Sequence, residues 1–124
     1  MPNRALAPRL IGAAAALLLS ATAAAAHPEL EASNPAANGH VSVSVKEVRL
    51  DFSEAVSPAF SGVVIKDAKG AAVATGKASV DPKDKTVLVV PLKAKLAPGN
   101  YKVEWHAVSS DTHRITGSFA FMAM

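Results

Sequence analysis

The stretch Tyr101–Ala107 limits the fold more than any other part of the chain. Tyr101, Val103, Trp105 and Ala107 share one parity, and Lys102, Glu104 and His106 share the other. Side chains of an extended backbone alternate between two faces, so the segment is predicted to be a strand with one face in a core and one in solvent. Ile115, Gly117, Phe119 and Phe121 alternate in the same way with Arg114, Thr116 and Ser118, which predicts a second long strand. Val108-Ser109-Ser110-Asp111-Thr112-His113 interrupts the alternation between them.

The other strands are shorter. Val48–Phe52, Gly62–Lys66 and Thr86–Val90 read as strands, 30–32 as a short first one, 41–45 as a strand or an extended lead-in, and 71–78 as a weak strand of small residues. Turn chemistry separates them: Ser33-Asn34-Pro35-Ala36-Ala37-Asn38-Gly39, Asp67-Ala68-Lys69-Gly70, Asp81-Pro82-Lys83-Asp84 and Pro98-Gly99-Asn100. No segment after residue 26 carries a 3.6-residue apolar period bounded by caps. Seven or so short strands, with a turn every 8–12 residues or so, predict an antiparallel sandwich or Greek-key barrel. There is no internal repeat and no second domain.

Residues 1–26 have the parts of a secretory signal: Arg4 and Arg9, the apolar run Leu10–Leu19, and a small-residue end at Ala24-Ala25-Ala26. The Leu/Ile-rich part is shorter than the ~20 apolar residues a spanning helix needs. Cleavage is expected after Ala26, leaving one domain, 27–124, without direct membrane insertion. Arg4 and Arg9 leave with the leader, so the 13 basic residues fall to 11 against 10 acidic ones, a net charge of +1 rather than +3. That balance, with no basic cluster interleaved with aromatics, argues against a nucleic-acid partner. Cysteine is absent. An exported domain without it has no disulfide, and must hold any metal through nitrogen, oxygen or thioether donors.

The cut would give His27 a free α-amine. Amine and ring Nδ1 together can close a six-membered chelate ring on one metal ion. Asp111 and His113 offer further donors, since an Asp-x-His spacing in extended backbone puts both side chains on one side. Taken alone, the pair reads more simply as a turn aspartate and a surface histidine. His27 shifts that balance, because the first and last strands of a sandwich can lie close at one end. Amine, imidazole and carboxylate make a tetragonal, nitrogen-rich set that suits Cu(II). Pro28 has no N–H to lose, so the backbone at position two cannot wrap the ion, and ligands must come from elsewhere in the fold.

His27-Pro28-x-Leu30, Phe52-Ser53-Glu54, Tyr101-Lys102-Val103-x-Trp105 and Ala107-Val108-Ser109-Ser110-Asp111-Thr112-His113-x-Ile115-x-Gly117 resemble the CopC family of periplasmic copper-binding, copper-resistance proteins. The resemblance implies an immunoglobulin-like, seven-stranded Greek-key β-sandwich or barrel. It also implies one Cu(II) held by the His27 amine and ring, Asp111 and His113. Glu54 matches a family carboxylate near the copper, and is weighed equally against an ordinary solvated loop residue. A copper carrier or buffer in copper homeostasis follows, with an inner-membrane, CopD-like copper-transport protein or another periplasmic copper protein as partner.

Some family members bind Cu(I) through a Met-rich loop. Here 66–78 contains no methionine, which implies a Cu(II)-only type that binds reduced copper poorly. Met122 and Met124 are expected in a frayed end, His40 and His106 in solvent, and Tyr101 and Trp105 in the core. No nucleophile–base pair supports hydrolysis, so a non-enzyme is expected. The rival is a histidine-brace copper oxidase or monooxygenase-like enzyme, which needs open coordination positions and an exposed aromatic platform. A plain adhesion or assembly sandwich would make the His-Pro and Ser-Ser-Asp-Thr-His matches coincidental.

Overall fold

A computed structural model describes residues 28–124; the expected leader and His27 lie outside the described residues. The chain forms β1 (Leu30–Asn34), β2 (Gly39–Val41), β3 (Glu47–Phe52), β4 (Gly62–Asp67), β5 (Ser79–Asp81), β6 (Asp84–Pro91), β7 (Gly99–Val108) and β8 (Arg114–Ala123). They make two four-stranded sheets, ordered β1-β3-β6-β5 and β2-β8-β7-β4. All pairs are antiparallel except β2 with β8. Among the described residues no helix is long and apolar enough to cross a membrane.

The alternation in β7 decides the packing. Tyr101, Val103, Trp105 and Ala107 are buried, while Lys102 is exposed and Glu104 and His106 are half-buried. Facing them across the sandwich are Val48, Leu50 and Phe52 of β3 and Leu88 and Val90 of β6, all buried, with Phe52 edge-on to Trp105 at 5.4 Å. Burying such side chains contributes on the order of 1.5–3 kcal/mol each, so this layer is what stabilises a domain without disulfides. Tyr101 stacks on Phe121 at 5.3 Å and donates its hydroxyl to the carbonyl of Ala97 at 2.7 Å. This pins the β6–β7 corner in the manner of the tyrosine corner of immunoglobulin-like sandwiches.

Several expectations need adjusting. Eight strands form where about seven were expected, the count raised by the three-residue β2 and β5. Residues 71–78 make only isolated bridges, Lys66–Ala72 to one sheet and Thr75–Leu92 to the other. Their alanines and Gly76 offer too little side chain to hold a ladder, and the strand begins at Ser79 instead. Residues 42–45 are lead-in, not strand. The last strand, β8, pairs with β7 on one side and β2 on the other, while the first strand lies in the other sheet beside β3. Met122 is inside β8, and Met124 continues its ladder by donating its N–H to the carbonyl of Val41 at 3.0 Å, so this end is paired rather than frayed. His40 is exposed as expected; His106 is half-buried, with its ring over Gly62.

A candidate metal centre at one end of the sandwich

The turn between β7 and β8 is built to present Asp111 and His113. Ser109 and His113 bracket it, the Ser109 N–H donating to the His113 carbonyl at 3.0 Å and the Thr112 N–H to the Ser109 carbonyl at 2.9 Å. Closing so tight a loop places Thr112 at φ 71°. That left-handed conformation is uncommon for a β-branched residue, and such strain persists only where the surroundings hold it. The backbone is therefore not the extended one expected of Asp-x-His, yet the two side chains meet: His113 Nδ1 lies 3.0 Å from Asp111 Oδ2.

Asp111 is the electrostatic centre of the turn. It accepts the Ser109 hydroxyl on Oδ1, and the His113 N–H approaches the same oxygen at 3.3 Å. The Ser109 hydrogen bond first, and the His113 ring second, hold its carboxyl down at about 2. The group is thus a carboxylate at any neutral or mildly acid pH, ready to face a cation. In the tautomer that carries its proton on Nδ1 and donates it to Asp111, the His113 ring has its lone pair on Nε2, the nitrogen that can coordinate a metal while the carboxylate fixes the ring.

Ser53 and Val56 tie three separate segments to this end. Ser53 accepts the Glu29 N–H on its hydroxyl at 2.8 Å and donates its own N–H to the Glu29 carbonyl at 2.9 Å. Val56 bridges Ser109, and the Ser57 N–H donates to the Val108 carbonyl at 2.8 Å. The short 53–57 connection therefore holds the chain just after position 27 and the start of the Asp111–His113 turn to one end of the fold. Pro28 is fully buried there. Glu54 lies in the middle of this connection, half-buried. It does not complete a three-residue group with Asp111 and His113, and no three His, Asp or Glu side chains among the described residues converge as a metal-holding cluster.

Sequence reasoning assigned no role to Ser109, the hydroxyl that holds Asp111, or to Ser53. The available signal was a serine two residues before an aspartate in a turn, a spacing at which side chains commonly bond.

Comparisons with known proteins agree on the fold. The CopC domain family matches residues 30–124. Copper resistance protein C of Pseudomonas syringae pv. tomato is 40% identical over 116 residues, covering 87% of this chain and 88% of that protein. The crystal structure of PcoC, a methionine-rich copper resistance protein from Escherichia coli, superposes with a TM-score of 0.71 at 36% identity, over 80% of this chain and all of that one. More distantly, copper transport protein CutJ of Bacillus subtilis is 29% identical over 96 residues, which are 77% of this chain but only 18% of that protein.

Proposed function

The chain belongs to the CopC family of copper-resistance proteins, and from that premise we propose that it is a periplasmic carrier that binds one Cu(II) as cargo at the Asp111–His113 end. The family supports a copper-binding role in copper resistance; the oxidation state, ligands and compartment are this proposal. The donors are the α-amine and Nδ1 of His27 after removal of 1–26, an imidazole nitrogen of His113 and an oxygen of Asp111. Glu54, in the connection that ties these segments together, is a nearby carboxylate available to a weak axial contact.

One observation carries the reading. The 53–57 connection is hydrogen-bonded to Glu29 on one side and to the Val108–Ser109 start of the turn on the other. Position 27 is two residues from that anchor, within about 7 Å of chain. A histidine amine and ring supplied there meet an imidazole and a carboxylate already oriented against each other. Nitrogen-rich coordination with one carboxylate matches Cu(II) in ligand type and geometry.

The carrier is non-enzymatic. Trp105 and Tyr101 are buried in the core, so neither offers the exposed aromatic surface that the histidine-brace enzyme reading needs, which supports the carrier reading. Release goes to an inner-membrane copper-transport protein of the CopD type; a copper transport protein that contains a matching stretch as about a fifth of its length supports such a pairing.

The test is an EPR spectrum of the processed protein with one equivalent of Cu(II). Nitrogen hyperfine structure from three donors is expected, falling to two in His113→Ala with the fold intact by circular dichroism. A spectrum unchanged by that substitution removes His113 from the site.

A further inference from the structure

We propose that His40, Met122 and Met124, brought side by side by the parallel β2–β8 pairing, form a second metal site, selective for Cu(I), at the end of the sandwich far from Asp111. The chain's only two methionines after the leader lie in this one strand and its extension. His40 stands directly opposite Met122 in the register. Phe121 and Ala123 are buried at 2% and 1% exposure, so Met122 between them projects from the outer face, as does exposed His40. Both side chains line one shallow depression of about 190 Å³, with Asn38 and Asn100 also contributing.

Met124 continues the arrangement. Its N–H donates to the Val41 carbonyl at 3.0 Å and its carbonyl accepts the Val43 N–H at 3.2 Å, which fixes its backbone beside β2. Parity puts it on the face of Met122, and it is 59% exposed. Neighbouring strands lie ~4.8 Å apart and alternate residues ~6.8 Å apart along a strand. Two thioethers and an imidazole at those spacings can close on one ion, because methionine has three rotatable bonds to do so.

The donor set decides which ion. No carboxylate lines the depression, so it lacks the charged oxygen ligands on which Ca(II) and Mg(II) sites are built. Thioethers are soft, neutral donors that favour Cu(I) over Cu(II) and Zn(II). The 66–78 loop holds no methionine, but the tail that carries Met122 and Met124 is part of a sheet. From His113 to Met122 the strand runs roughly 30 Å. The two sites share no residue, so this inference stands or falls independently of the Cu(II) reading.

The experiment is an anaerobic titration of Cu(I) against bicinchoninate, with X-ray absorption on the Cu(I) complex. The native protein should withdraw one equivalent and show sulfur in the copper coordination shell. Met122→Leu, a volume-conserving change, and His40→Gln should each lower Cu(I) affinity by roughly ten-fold or more, with the Cu(II) EPR spectrum unchanged. A Cu(I) complex with only nitrogen and oxygen neighbours overturns the proposal. So does an undiminished Cu(I) affinity in the Met122→Leu/Met124→Leu double variant.

Discussion

Ser109 is 2% exposed and gives its hydroxyl to Asp111. On the proposed Cu(II) reading Ser109 orients a ligand, and such a group commonly accounts for about 10–100-fold in metal affinity. Ser109→Ala should therefore weaken Cu(II) binding within that range while the far-ultraviolet spectrum stays native; equal affinities in a competition titration would show that Asp111 needs no such support. Gly117 is a second residue whose role is set by its neighbour. A Cβ built there falls 2.4 Å from Trp105 Cζ2, because the indole lies across β8 directly opposite. Gly117→Ala should cost about 1–3 kcal/mol through overpacking, read as a lower urea midpoint with an unchanged slope. In the sequence Gly117 stood at an inward position, but nothing there showed that the space above it belongs to Trp105. Asp111 and His113 were legible as a pair from their Asp-x-His spacing and the family resemblance, although a tight turn rather than the expected extended backbone brings them together. Glu54 was not, since its place in the 53–57 connection depends on contacts made by Ser53 and Val56.

At the scale of elements, the β7–β8 hairpin concentrates what the sequence made plain and what it hid. Its strands were readable because large apolar and charged residues alternate without a break. The turn's conformation was not, because Thr112 adopts φ 71° against its own preference. A left-handed L-residue costs about 1–2 kcal/mol and glycine's extra chain entropy about 0.5–1. Thr112→Gly should accordingly leave stability unchanged or raise it by up to about 1.5 kcal/mol; a clear loss in thermal unfolding would mean the threonine side chain itself stabilises the turn. The 71–78 segment failed as a strand for a different reason. Alternation among alanines carries almost no energetic preference, so tertiary context assigns it to bridges between the two sheets. The pairing of β2 with β8, parallel and distant in sequence, had no local signature at all, which is why Met122 and Met124 read as a tail.

The whole molecule is a small sandwich held by its apolar layer, with titratable groups adding pH dependence at its surface. Asp81, Asp84, Glu104 and Asp111 all have carboxyls held below their ordinary values, by Arg49, by Thr86, by Lys66 and by Ser109 respectively. Burial lowers His106, and the charge of Arg114 adds to it. In each case the unfolded chain takes up the proton first, so stability is lost as pH falls. The copper-free protein should be most stable above the ordinary histidine value of 6.5, decline slightly below it, and decline further from about 4.5 towards 2. His106→Gln should abolish the upper step alone, and a melting temperature flat from pH 7 to 2 would contradict the assignment. Above these details stands the claim that a chain of this family binds copper by bringing a new N-terminus to the Asp111–His113 turn. Its most direct test is a Cu(II) competition titration comparing protein that begins at His27 with protein that keeps Ala26 in front of it. The account predicts that the extra residue, by converting the amine to an amide, lowers affinity by orders of magnitude; equal affinities would contradict it.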